Sequence, residues 1–108
     1  MRRLLLAALP LALVLAACGG DDDSGAPTEP GVVLVDDNVF RPKTITVSAG
    51  DTVTWRWVGN NAHNVVADDF SSDLQKEGEF EHTFEDAGRY NYHCTVHPGM
   101  NGTVEVTP

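Results

Sequence analysis

The sequence predicts an all-β fold, a Greek-key antiparallel β-sandwich of about seven to eight short strands. Three observations favour this class. From Val32 onward apolar and polar residues alternate with a period of two, turns rich in Gly, Pro, Asn and Asp interrupt the alternation at intervals, and no stretch has convincing helical spacing. The 77 residues of this part have room for one hydrophobic core, which excludes a multidomain enzyme.

The N-terminal residues 1–17 are predicted to be a signal peptide. Two arginines at positions 2 and 3 precede an apolar run at 4–15, which is too short to span a bilayer comfortably. The following Leu-Ala-Ala-Cys resembles a lipoprotein cleavage box, in which Cys18 becomes the lipidated first residue of the mature chain. An ordinary cleavage near Ala17 and a short membrane anchor are the alternatives.

Residues 18–31 are predicted to be the lipidated cysteine followed by a flexible acidic linker. The segment 19–31 contains Gly, Pro, Ser, Thr and acidic residues and no large apolar side chain, so it cannot form a core. As a flexible coil it would span about 20 Å on average. The domain at 32–108 is therefore expected close to the extracytoplasmic face of the cell membrane, in the periplasm or at the cell surface.

Within this domain the period-two alternation is clearest in three segments, each predicted to be a half-buried strand. Their inward-facing positions are Val53, Trp55 and Trp57; Phe80, His82 and Phe84; and Tyr90, Tyr92 and Cys94. Further short strands are expected at 32–35, 45–47 and 103–106. The segment 40–43 is interpreted as a bend between two strands, with Pro42 at a sheet edge.

The charge of the chain is strongly acidic, with 16 Asp and Glu against 7 Lys and Arg and a formal net charge of -9. Such a chain repels the phosphates that dominate affinity for nucleic acid, and no basic stripe offsets the repulsion, so nucleic acid is excluded as a partner. The domain from Val32 onward carries -7, which suits a basic partner or serves solubility.

Four side chains carry the chemistry that the sequence suggests. Cys94, His97 and Met100 follow a strand at Cys-x2-His-x2-Met spacing, which requires a tight loop before the next strand begins. His63, just after the strand at 53–58, is well placed to supply the fourth ligand. Two imidazoles, one thiolate and one weak axial thioether are the donor set of blue-copper sites.

The other two histidines are not expected to touch the metal. His93 precedes Cys94 in an extended segment, so its side chain points to the opposite face of the sheet. His82 lies between two phenylalanines of a strand, where packing is the commoner role. Cys18 and Cys94 are not expected to form a disulfide, because one would be lipidated and the other bound to metal.

The segment GRYNYHCTVHPGM, residues 88–100, is similar to the C-terminal copper loop of the cupredoxins, the type 1 blue copper proteins. Among these, amicyanin is most similar, with plastocyanin, pseudoazurin and halocyanin as further relatives. The run GDTVTW at 50–55, followed by His63-Asn64-Val65, resembles the first-histidine region of the same family. The resemblance extends over nearly all of 32–106.

The resemblance implies one type 1 copper ion, with His63, Cys94 and His97 as equatorial ligands and Met100 as the axial one. It also implies that Asn64 helps to fix the ligand loop by hydrogen bonds near the thiolate. The expected function is single-electron transfer and not catalysis. Redox proteins, such as a c-type cytochrome, a dehydrogenase or an oxidase, would be the donors and acceptors, and the lipid anchor would hold the carrier at the membrane.

Four alternative interpretations of the sequence assign different roles to the four candidate ligands. A structural zinc site would leave Met100 without a role, and a multicopper oxidase or nitrite reductase needs more histidines than this chain offers. A copper chaperone or storage lipoprotein is the main competing function, although such sites tend to contain several Met or Cys. A plain adhesion or binding sandwich would leave the four residues unrelated.

Overall fold

The computed structural model describes residues 29–108. The signal peptide, Cys18 and most of the linker predicted above lie outside these residues. Residues 29–108 form seven strands and no helix, and thus no helix long and apolar enough to cross a membrane. The strands are β1 (Val32–Asp36), β2 (Val39–Arg41), β3 (Thr44–Ser48), β4 (Thr52–Trp57), β5 (Glu79–Thr83), β6 (Gly88–His93) and β7 (Asn101–Thr107).

The strands form two sheets, one of four strands in the order β2-β1-β4-β5 and one of three in the order β3-β7-β6. The predicted β-sandwich is therefore confirmed. Three of the strand pairs are antiparallel as expected, whereas β1 with β4 and β3 with β7 are parallel. The alternation of residues could not reveal this, because a period of two fixes which face is buried and not the direction of the neighbouring strand.

The interpretation of 40–43 as a bend was too broad. Val39, Phe40 and Arg41 form the edge strand β2, which pairs with β1, and the chain crosses to the other sheet only at the following Pro42 and Lys43. Phe40 is 1% exposed and packs edge-on against Tyr92 of the opposite sheet, at 4.7 Å between ring centroids. A strand of three residues is too short for its alternation to be read from sequence.

The core lies between the sheets and receives at least one buried side chain from every strand except β5, whose Phe80 and His82 are half-buried. Trp55 is fully buried, and its ring lies 5.4 Å from that of Tyr92 and 5.7 Å from that of Phe70. Trp55 and Trp57 of β4 are both buried, as expected for inward-facing positions. Burying these large rings is the main favourable term in the stability of a domain of this size.

The strand directions place the chemistry-bearing residues at one pole. β4 ends there before His63, β6 ends there before Cys94, and β7 begins there after Met100. The chain enters the sandwich at the opposite pole, where the carbonyl of Gly31 accepts a hydrogen bond from the amide of Thr54 near the start of β4.

Candidate metal centre

His63 is held in place by hydrogen bonds of its own backbone. Its amide donates to the Gln75 carbonyl at 2.9 Å, and its carbonyl accepts from the Gln75 amide at 3.1 Å and from the Trp57 indole Nε1 at 3.0 Å. The side chain is completely buried. The position of the imidazole is therefore fixed by packing of the loop on the end of β4.

Asn64 joins this loop to the residue after Cys94. Its Oδ1 accepts the Thr95 amide at 2.8 Å, and its Nδ2 donates to Thr95 Oγ1 at 3.0 Å. The predicted role of Asn64 beside the thiolate stays a prediction. Among the described residues, its side-chain hydrogen bonds go to Thr95 and not to the sulfur itself.

The segment from Cys94 to Met100 closes on itself as a tight loop. The Cys94 amide donates to the Met100 carbonyl at 3.0 Å, and the Met100 amide donates to the His97 carbonyl at 3.1 Å. Pro98 and Gly99 occupy the two central positions of this last turn, and Gly99 has a φ of 87°, which is the left-handed conformation that a type II turn requires there. The loop thus presents both the thiol and the imidazole at the end of β6.

Three donor atoms of these residues converge. The nitrogen and sulfur atoms of His63, Cys94 and His97 lie within 4.8 Å of one another. His97 Nδ1 is 3.1 Å from His63 Nδ1 and 3.4 Å from Cys94 Sγ. Metal–ligand bonds of about 2.0 Å to nitrogen and about 2.3 Å to sulfur, at near-tetrahedral angles, separate such atoms by about 3.3 to 3.6 Å. The arrangement therefore fits a single ion of this size.

Met100 is 2% exposed and hydrogen-bonded through its backbone to both Cys94 and His97. It thus belongs to the same pole as the three converging residues. A buried thioether beside a thiol and two imidazoles completes a donor set that is typical of copper and of little use to zinc.

Asp37 is a site residue that the sequence analysis missed. It lies in the turn between β1 and β2, and its Oδ1 is 3.0 Å from His63 Nε2. Its carboxylate also accepts the backbone amides of Asn60 and Asn61. The hydrogen bond from His63, followed by those from Asn61 and Asn60, lowers the pKa of Asp37 to about 2. Its 26-residue separation from His63 left no local pattern that could have revealed the contact.

The remaining two histidines stay away from this cluster. His82 stacks on Phe70 at 4.4 Å between ring centroids and packs edge-on against Phe84. His93 is exposed on the outer face of β6. Neither belongs to a group of potential metal ligands among residues 29–108.

Comparisons with a family model and with known proteins point to the same family. Residues 32–107 match the family of copper binding proteins described as plastocyanin/azurin. The chain is 47% identical over 77 residues to halocyanin from Natronomonas pharaonis, covering 62% of this chain and 47% of the halocyanin. It is 36% identical over 93 residues to amicyanin from Paracoccus denitrificans, covering 77% of this chain and 71% of the amicyanin.

The solved structures that the chain resembles share its fold, and one of them is an enzyme. A purple cupredoxin from Nitrosopumilus maritimus has a TM-score of 0.67 and 28% identity, covering 71% of this chain and 99% of that one. The structure also resembles 25% of a copper-containing nitrite reductase chain from Thermus scotoductus, at 24% identity and a TM-score of 0.63, which shows a shared fold alone. With a family match over most of the chain and a metal-binding pole of suitable chemistry, this protein belongs to the plastocyanin/azurin family of copper-binding proteins, the cupredoxins.

Proposed function

We propose that this protein is a one-electron carrier in which His63, Cys94, His97 and Met100 bind a single copper ion. The observation that carries the proposal is the convergence of two imidazoles and one thiol within 4.8 Å at one pole of the sandwich. Copper supplies the Cu(I)/Cu(II) couple when bound, and this mixture of sulfur and imidazole donors suits both oxidation states.

The burial of the ligands supports a carrier and not an enzyme. His63, Cys94 and Met100 are each at most 3% exposed, so water and substrates are kept from that side of the ion. Four protein donors also leave no position for a reacting molecule. His97 alone is half-exposed, which makes its imidazole edge the shortest route for an electron between the ion and a partner.

Exposed apolar side chains suit a docking face at the same pole. Val58 follows β4, Leu74 precedes the residue that pairs with His63, and Val96 lies in the ligand loop; each is about half exposed. A half-exposed imidazole at the same pole as such side chains allows a partner to approach closely without the loss of strong hydration. We infer that the partners are redox proteins such as a c-type cytochrome, a dehydrogenase or an oxidase.

Copper titration of the full-length chain tests the proposed function. One equivalent of Cu(II) should produce the intense blue thiolate-to-copper band, and Cys94→Ser should abolish it. Cys18→Ser is the matched control, because it removes the other cysteine of the chain and should leave the colour unchanged. Colourless binding of several copper ions would instead favour a storage or chaperone function, and binding of Zn(II) alone would contradict both.

We further propose that the carrier is lipid-anchored through Cys18 at the extracytoplasmic face of the membrane. The Leu-Ala-Ala-Cys sequence supports this, and so does the entry of the chain at the pole opposite the ligands, which leaves the metal pole free to face away from the bilayer. In a bacterial host, labelled fatty acid should be incorporated into the wild type and Cys94→Ser but not into Cys18→Ser. Equal labelling of all three would contradict the assignment.

A further inference from the structure

The carboxylate of Asp37 contacts the imidazole of His63 on the side that faces away from the other proposed ligands. Its Oδ1 lies 3.0 Å from His63 Nε2, which is the ring nitrogen that faces away from Cys94 and His97. The imidazole of His63 is the sole cationic or ionisable basic group within ion-pair distance of Asp37 among residues 29–108. Its neighbour Asp36 instead pairs with Arg41.

This contact decides which nitrogen of His63 carries the proton. An ionised carboxylate can only accept hydrogen bonds, so Nε2 has to be the donor and carry the hydrogen. In a neutral imidazole Nδ1 then keeps its lone pair, and it is this atom that lies 3.1 Å from His97 Nδ1. Because His63 is completely buried in the intact protein, the carboxylate and not water is the partner of Nε2.

The carboxylate is itself held rigidly. It accepts the amides of Asn60 at 3.0 Å and Asn61 at 2.9 Å, and the Asp37 amide donates to Asp36 Oδ1 at 2.8 Å. The backbone at Gly59 passes so close that a Cβ there would lie 2.5 Å from Asp37 Oδ1 and 2.8 Å from the Asp37 nitrogen. The hairpin turn and the loop before His63 therefore form one interlocked unit.

We propose that Asp37 is a positioning residue of the copper centre, one that holds His63 in the tautomer presenting Nδ1 and whose charge stabilises Cu(II) relative to Cu(I). The inference rests on the proposed function. A carboxylate behind a metal-bound histidine orients the ring and raises its basicity as a ligand, and loss of such a partner typically costs 10- to 100-fold in metal affinity. The more highly charged oxidation state gains more from a basic ligand and a nearby anion.

The variant Asp37→Asn removes the negative charge but keeps the hydrogen bonds, because an amide oxygen still accepts hydrogen bonds from the loop and the imidazole. In the full-length copper protein we expect the blue band to persist while affinity for Cu(II) falls about tenfold relative to Cu(I). For a one-electron couple that change raises the reduction potential by about 59 mV. Asp36→Asn is the matched control, since it removes an equal charge from the adjacent residue, keeps an oxygen that can accept the Asp37 amide and has no contact with His63. It should change the ratio of Cu(II) affinity to Cu(I) affinity less than twofold.

Nitrogen-15 NMR of the metal-free protein supplies a second measurement. It reports the tautomer of His63, which would not depend on Asp37 if that residue only stabilised the fold. His63 of the wild type and of Asp36→Asn should carry its proton on Nε2, with slow solvent exchange, and Asp37→Ala should lose that protection. A wild-type His63 protonated on Nδ1, or equal changes in the potential for the two asparagine variants, would overturn the proposal. If the wild type binds copper without a blue band, the proposed function fails, while the tautomer still tests the Asp37 contact.

Discussion

At the scale of single residues, the metal pole depends on hydrogen bonds that connect segments far apart in the chain. Asn64 connects the His63 loop to Thr95, and Trp57 donates to the His63 carbonyl. The first bond satisfies the backbone amide of Thr95, and the second adds a donor to a carbonyl that also accepts the Gln75 amide. The proposed ligands are thereby held in place by the protein itself, which would suit electron transfer because a fixed site needs little rearrangement when the ion changes oxidation state.

Replacement of Asn64 by Ala should weaken this connection. The variant loses three hydrogen bonds to Thr95, so we expect the free energy of unfolding to fall by about 1 to 2 kcal/mol. Urea unfolding of the metal-free protein measures the difference. Asn60→Ala is the control, because the side chain of Asn60 is exposed and makes no hydrogen bond within residues 29–108. An equal effect of both variants would refute the role of the connection.

At the scale of elements, the packing of β6 against β7 depends on the glycine at position 102. Tyr92 lies opposite Gly102 in the register, and its ring occupies the space that a side chain at position 102 would need. The same ring packs edge-on against Phe40 and Trp55 of the other sheet. Because β6 ends directly before Cys94, this contact lies two residues before the loop of the candidate ligands.

Gly102→Ala should therefore be destabilising although alanine suits a strand better than glycine. A Cβ there would lie 2.3 Å from both Cζ and the hydroxyl oxygen of Tyr92, and the packed ring has little room to move. Overpacking of this kind costs about 1 to 3 kcal/mol. Asn101→Ala, on the same strand but exposed, should change stability by less than about 0.5 kcal/mol. Denaturant midpoints that coincide for the two variants would contradict the packing argument.

At the scale of the whole molecule, the net charge of the domain determines which proteins it attracts. Five basic and twelve acidic side chains from Val32 onward leave a charge of -7. Most of the acidic side chains are exposed, including Glu79 and Glu81 on the outer face of β5. Such a surface attracts positively charged proteins over a distance set by the ionic strength.

Electron exchange with a basic c-type cytochrome should consequently be salt-dependent. We expect the second-order rate constant, measured by stopped flow, to fall about tenfold or more when the ionic strength rises from about 0.01 M to about 0.15 M. An acidic cytochrome is the control, and its rate should rise or stay constant under the same change. A rate with the basic partner that is insensitive to salt would show that the acidic surface has no part in docking.

The strands with strong alternation and the tight Cys-x2-His-x2-Met loop could be predicted from the sequence because they depend on local spacing, and His63 followed as the fourth candidate ligand from its position just after a strong strand. The parallel pairing of β1 with β4, the short strand β2 and the contact of Asp37 with His63 could be seen only in the folded protein. All three features have the same cause. Spacing along the chain specifies which face a residue occupies, whereas partners separated by many residues are chosen by packing of the complete sandwich.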